Sequence, residues 1–307
     1  MGRLILSGNP DIDKLYTYNE AKGIGPQLSL LQQLRKRRYD VVVDFMYNPR
    51  SALFTYLSGA EKRVAFPSRR RWFYTHIVEQ PKHPVYIAIE KQRLLAELGV
   101  DSDISQLYLP WTSEDTGVWQ SFVKEHNLLD RRPIVCLSPT HRRPIRQWPG
   151  DCYARLADYL VRAKEAHVVW VWGPGENEFV SDIRDHCETK THMAPKTSFA
   201  ELAAFFANSD LFIGNSNGPS HVAVATNTPS IQLHGPTIGV TWCPDNQRHR
   251  FIQGESMVDI TSQQVENAVE ALWPEVLNNL GERKSIGVRM DWRPNQSKRQ
   301  IGEIHHD

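Results

Sequence analysis

Residues 211–237 read LFIGNSNGPSHVAVATNTPSIQLHGPT, and the fold is decided in this stretch. Leu211, Phe212 and Ile213 form a short apolar run that predicts a buried strand. Gly214-Asn215-Ser216-Asn217-Gly218-Pro219 breaks that strand with turn formers. Ser220 and His221 then open Val222-Ala223-Val224-Ala225, whose small side chains suit a helix packed close against a sheet. Residues 230–233 form a second strand, which ends at His234-Gly235-Pro236-Thr237. A strand, a glycine-bearing turn and a helix N-terminus together make a seat for an anion, because unpaired helix N–H groups and the positive dipole end face the turn. An ordinary strand–helix connection of an α/β domain has the same outline, so the turn alone does not decide for a ligand.

The same alternation extends in both directions. Leu28, Leu30, Leu31 and Leu34 predict an amphipathic helix over 28–38 with basic residues at its end. Val41-Val42-Val43 is a β-branched run suited to a strand buried on both faces. Helices are expected over 50–57, 89–98 and 115–126, the last with Asn127 as its C-cap. A second series begins at Arg131-Arg132-Pro133: strand 134–137, loop 138–149, helix 150–163, strand 167–172, a turn at Gly173-Pro174-Gly175, then helices 177–187 and 198–207. Strands alternating with helices in this order predict parallel, doubly wound α/β sheets. With 307 residues, two domains are expected: 1–128 and 129–285, followed by a polar, basic tail over 286–307.

Net charge is +1 at pH 7, which argues against a general polyanion or nucleic-acid binder. The four cysteines, Cys136, Cys152, Cys187 and Cys243, lack C-x-x-C or zinc-type spacing and suit free thiols in a reducing compartment. The opening MGRLILSGNPDID is too short for a signal h-region or a membrane span. The sequence thus reads as soluble and cytoplasmic. Gly-x-Ser-x-Gly is absent, so serine-hydrolase chemistry is a poor fit.

Asn215, Ser216, Asn217, Gly218, Pro219, Ser220 and His221, followed by Pro229 and His234-Gly235-Pro236-Thr237, resemble the C-terminal motif of glycosyltransferase family 9, the ADP-heptose:lipopolysaccharide heptosyltransferases. The family pattern runs Asn-Asp-Ser/Thr-Gly-Pro-x-His and later Phe-Gly-Pro-Thr. Ser216 stands where the family has an acidic residue, and His234 where it has Phe. The resemblance extends from Ser7 to about Asn246. It implies a GT-B-type protein with two Rossmann-like domains, needing no cofactor and no metal. The implied reaction is inverting transfer of a heptose from an ADP-sugar to the lipopolysaccharide inner core. The N-terminal domain is expected to be incomplete, without the family's opening strand, Gly-Asp loop and helix. The family's catalytic base, an Asp of that loop, then has no counterpart, and the catalytic residues stay unassigned, with Asp44 at a strand end the first substitute.

The resemblance assigns donor contacts to Ser138, Thr140, Arg146, Glu178, Ser216, Asn217, Gly218, Pro219, Ser220 and His221. Arg146 lies two residues before Trp148-Pro149, where a cation would neutralise charge on the diphosphate leaving group in place of a metal ion. A carboxylate after the Gly173-Pro174-Gly175 turn suits a ribose diol; spacing favours Glu178 over Glu176, and acidic residues there equally suit the dipole of a helix first turn. Arg50, Arg69, Arg70 and Arg71 are the acceptor-side candidates, since guanidinium clusters make bidentate contacts with phosphates. An exposed basic loop explains the same run. The implied partners are a nucleotide sugar and an anionic lipid-linked saccharide of lipid A–Kdo type, with at most peripheral contact at the inner face of the inner membrane. The alternative is a non-catalytic or truncated nucleotide-sugar-binding relative of such enzymes.

Overall fold

The computed structural model describes residues 2–17, 23–100, 107–130 and 132–286. The chain divides into two compact units, Met1–Ser105 with Val240–Pro244, and Gln106–Gly239 with Asp245–Asp307. In the first unit, helices α1 (Gly2–Leu6) and α2 (Ile24–Arg37) precede strand β1 (Val41–Val43), helix α3 (Pro49–Leu57), strands β2 (Lys62–Ala65) and β3 (His76–Ile77), and helix α4 (Ile87–Ala96). The strands form a parallel sheet in the order β1-β2-β3. Helix α3 starts where Asn48 and Ser51 form a reciprocal capping box with Pro49 in the first turn, satisfying orphan N–H groups at the entry. Arg35, Lys36 and Arg37 close α2, complementing the negative end of its dipole.

The second unit carries α5 (Ser113–Glu125), β4 (Ile134–Ser138), α6 (Gly150–Lys164), β5 (His167–Trp170), α7 (Asn177–Asp185), β6 (His192–Met193), α8 (Phe199–Ala207), β7 (Leu211–Asn215), α9 (Gly218–Ala225) and β8 (Ser230–His234). The short α10 (Gly239–Trp242) follows in the chain, grouped with the first unit from Val240 on, and the second unit resumes with β9 (His249–Gln253) and α11 (Ser262–Ile286). Strands run in the order β6-β5-β4-β7-β8-β9, all parallel. Strands β4, β7 and β8 are buried at every position, as expected where helices cover both faces. Tyr153, Ala154, Leu156, Ala157 and Leu160 form the buried stripe of α6, and Val265, Val269, Leu272 and Val276 that of α11. Both stripes join one core with Leu137, Ile213, Ile231 and Leu233.

Several local expectations change. The strand starting at Leu211 does not break at Gly214 but continues through Asn215, because Gly214 and Asn215 pair with Gln232 and Leu233 of β8. The helix after it opens at Gly218, with Asn217 as N-cap. Strand β5 ends at Trp170 rather than 172. The sequence divides the chain at 128/129, whereas α5 groups with the second unit; Phe122 of α5 packs on Phe205 of α8, ring centroids 5.3 Å apart. The tail beyond 286 lies outside the described residues.

At Gly214, β7 lies close against β4. A Cβ there would meet Phe212 Cζ at 2.7 Å, Ser138 Cβ at 2.9 Å and the Ser138 carbonyl oxygen at 3.0 Å. The Ser138 backbone cannot move aside without breaking its register with Gly214. Gly214→Ala is therefore expected to destabilise the second unit by about 1–3 kcal/mol, the usual cost of overpacking a core. Urea denaturation checks it, and an unchanged midpoint would contradict the close approach.

Candidate functional site

The order β6-β5-β4-β7-β8-β9 reverses its direction of progression between β4 and β7. In open α/β sheets that reversal leaves a crevice beyond the carboxyl ends of the strands, where ligands bind. Two loops meet there, residues 139–149 after β4 and Ser216-Asn217 after β7.

Two asparagines join these loops. Asn215 is fully buried; its Oδ1 accepts from the Trp148 N–H at 3.1 Å and the Tyr153 hydroxyl at 3.2 Å, and its Nδ2 donates to the Pro139 carbonyl at 2.8 Å. Asn217 caps α9 through Oδ1, which accepts from Ser220 N at 3.2 Å. Its Nδ2 donates to Ser138 Oγ at 3.1 Å and the Thr140 carbonyl at 2.8 Å. The α9 N-terminus is thereby held at the crevice with Gly218 exposed.

The loop after β4 contributes the charge. Residues 144–146 form a single 3-10 turn, and Trp148 anchors the end of the loop: it is buried and donates from Nε1 to the Ile260 carbonyl at 2.7 Å. Arg146 is half-buried, and its Nε is shut off from solvent without a hydrogen-bond partner. Its positive charge reaches both His141 and His234: burial first, then Arg146, lowers the His141 pKa. Burial, then His221, then Arg146 lower that of His234 to about 4. His221, in the first turn of α9, is lowered by burial.

The sequence candidates separate on this geometry. Arg146, Thr140, Ser216, Asn217, Gly218, Pro219 and His221 all belong to the two crevice loops or the first turn of α9, and Ser138 is the last residue of β4. Ser220 is fully buried and completes the capping box, donating to the Asn217 carbonyl at 2.7 Å; it shapes the helix start and offers no surface. The Thr140 hydroxyl donates to Glu176 Oε2 at 2.7 Å, and that oxygen also accepts from the Gly173 N–H at 2.8 Å. Glu176, rather than Glu178, is thus the carboxylate tied to the crevice, while Glu178 lies exposed in the first turn of α7. Asn215 and His234 went unassigned in the sequence, Asn215 because it reads as a turn former and His234 as a strand end.

In the first unit, Asp44 follows β1 and is buried. Its Oδ2 accepts from the Tyr74 hydroxyl at 2.7 Å and its Oδ1 from the N–H groups of Met46 and Tyr47 at 2.9 and 2.8 Å. Burial, then this carboxylate, push the Tyr74 hydroxyl well above its ordinary range. Asp44 organises the turn after β1 and is a poor substitute base. Arg50 sits exposed at the start of α3, Arg69 and Arg71 are exposed, and Arg70 is half-buried where its charge reaches Tyr74. Trp72 beside them is 80% exposed.

The family model of glycosyltransferase family 9 (heptosyltransferase) matches residues 27–272. The chain belongs to that family. Lipopolysaccharide heptosyltransferase 3 of Escherichia coli is 29% identical over 259 residues, covering 78% of this chain and 73% of that protein. Among solved structures, the glycosyl transferase family 9 protein of Veillonella parvula superposes with a TM-score of 0.75 at 23% identity, over 89% of this chain and 86% of that one. The E. coli heptosyltransferase WaaC with ADP gives a TM-score of 0.62 at 20% identity, over 82% and 79%. These likenesses fix the fold as GT-B and the chain as a family 9 glycosyltransferase. Among the described residues, no helix is long and apolar enough to cross a membrane.

Proposed function

We propose that this family 9 protein transfers a heptose from ADP-heptose to the inner core of lipopolysaccharide, with inversion and without a metal ion. The observation that carries the reading is the β4/β7 reversal, where the half-buried Arg146 with its unpartnered Nε and the N-terminus of α9 both lie beyond the carboxyl ends of the strands. Leaving-group charge would be taken up by the guanidinium and helix-end N–H groups, which are oriented before the reaction begins. Glu176 is the carboxylate proposed for the ribose side, Glu178 having no contact with the crevice loops among those described. The relative solved with ADP supports the nucleotide, and the heptosyltransferase 3 relative supports the sugar. For the acceptor, Arg50, Arg69, Arg70 and Arg71 of the first unit are proposed to meet phosphates of a lipid A–Kdo core. Exposed Trp72 beside them suits contact with the inner face of the membrane.

Calorimetry with ADP, GDP and UDP tests the donor, followed by transfer from ADP-heptose to a lipid A–Kdo acceptor. Preference for ADP is expected; preference for UDP would redirect the reading to another donor. A second reading, a nucleotide-sugar binder without transfer, is favoured by Asp44, whose oxygens are taken by Tyr74 and backbone N–H groups. Donor binding without turnover would decide for it.

Arg146→Ala is expected to weaken ADP binding by about 1.5–3 kcal/mol, the worth of a charge-assisted hydrogen bond. Arg142→Ala, at an exposed position, should cost about 0–1 kcal/mol. Equal losses would mean that the loop acts only as a diffuse field.

A further inference from the structure

Buried polar atoms in folded proteins nearly always have hydrogen-bond partners, so each one that lacks a partner calls for a reason. Among the described residues, six buried side-chain atoms lack one, and four belong to Arg146, Gln232 and His234. Gln232 and His234 are fully buried and, two apart on β8, point to the same face of the sheet. His234 is also the residue at which this chain departs from the Phe of the family pattern.

The imidazole of His234 is held on its other sides. Nδ1 lies 3.3 Å from the Thr237 hydroxyl, the Phe251 ring stands edge-on at 5.9 Å, and the His234 carbonyl accepts from Gly254 N at 2.8 Å. A hydroxyl donating to Nδ1 leaves the hydrogen on Nε2, the atom without a partner. His221, in the first turn of α9, and Arg146 are the ionisable side chains that act on this ring. We infer that His234 is a ligand-contacting residue of the donor site, and that its Nε2–H and the Nε–H of Arg146 are paired donors for one phosphoryl oxygen of a diphosphate. The inference rests on the donor reading above and adds a residue that the family motif does not supply. Burial keeps the ring neutral near pH 7. A neutral donor at this position leaves the charge to Arg146 and contributes direction, fixing which oxygen faces the strand end. Gln232 carries the polar row one step further into the sheet.

The test uses the full chain with inorganic pyrophosphate and with ADP as separate probes. His234→Phe restores the ring that the family pattern has there. It is expected to weaken pyrophosphate and ADP binding about ten- to a hundredfold, the equivalent of one hydrogen bond to a charged group. His234→Gln, which keeps an N–H donor, should recover part of that loss. Wild-type affinity for pyrophosphate in His234→Phe would overturn the inference. Should pyrophosphate bind with that dependence but ADP bind no better than UDP, the inference stands and the ADP reading falls; if neither probe binds the wild type, both fall. Where His234→Phe folds poorly, ¹⁵N spectra of histidine-labelled wild type decide. A shift of the His234 Nε2 resonance on saturation with pyrophosphate is expected, and an unmoved resonance would mean that the orphan atoms meet buried water only.

Discussion

Acidification from pH 7 to pH 4 is expected to unfold the second unit. His192, His234 and His249 are all buried, and each is held near pKa 4 against an ordinary value of 6.5. Burial is the first cause in all three, with His126 next for His192, His221 for His234 and Arg248 for His249. The sign is set by proton counts. Between pH 6.5 and 4 the unfolded chain binds protons that the folded chain refuses, so stability rises with pH in that window and is lost as pH falls through it. A difference of this size is worth about 3 kcal/mol per histidine at full development. Three together rival the entire stability of an ordinary domain, about 5–15 kcal/mol. Asp130 adds to the loss only at lower pH. Its contacts with Arg132 and His167 outweigh its partial burial and hold it at about 2, so its contribution disappears between roughly pH 4 and 2. Urea denaturation at half-unit steps from pH 7 to 4, followed by near-UV circular dichroism, checks the expectation. A flat stability profile down to pH 4.5 would show that these rings take up protons without unfolding.

Asn215→Ala is expected to cost about 3–5 kcal/mol. The substitution leaves the Trp148 N–H and the Pro139 carbonyl without the partner each now has, while the Tyr153 hydroxyl keeps only the Ser138 carbonyl at 3.2 Å. Trp148 and Tyr153 are buried, so water cannot replace it cheaply, and an orphaned buried group costs about 1–3 kcal/mol. Asn215→Asp keeps the acceptor oxygen but turns a second oxygen toward the Pro139 carbonyl, and it should be no better. Chemical denaturation of both variants is the measurement. A loss below 1 kcal/mol from Asn215→Ala would show that the loops stay joined without this side chain.

What the sequence revealed depended on the length of each periodic signal. The all-buried strands β4 and β7 were legible through their apolar runs at 134–137 and 211–213, though not to their full length, whereas β3 and β6 are two residues long and carry no period. Lys62 and Arg63 hid β2, and the polar residues of β9 hid a strand whose pairing with β8 makes it regular. Helix α11 has a readable stripe at 265, 269, 272 and 276, obscured by Pro274 within it. At the candidate site, the motif singled out the two loops that lie at the β4/β7 reversal, but residue type alone could not tell which polar atoms are already committed within the protein. Thr140 and Ser220 look like phosphate donors in sequence, yet their hydroxyls are committed to Glu176 and to the Asn217 carbonyl. The reverse holds for His234, which looks like a strand terminus until its Nε2 is found buried and unpaired.

The neighbouring placement of β4 and β7 also constrains how the protein comes into being. The bond from Asn215 to Pro139 spans 76 residues, and parallel pairing at such separations is slow because the intervening loop must be closed before any contact rewards it. During synthesis, β4, β5 and β6 therefore emerge with one side of β4 unpaired, and they stay so until Asn215 leaves the ribosome. That exposed edge is a template for pairing with the wrong strand. The feature that creates the crevice thus sets a vulnerable interval in the life of each new chain, ended only when β7 slots in beside β4.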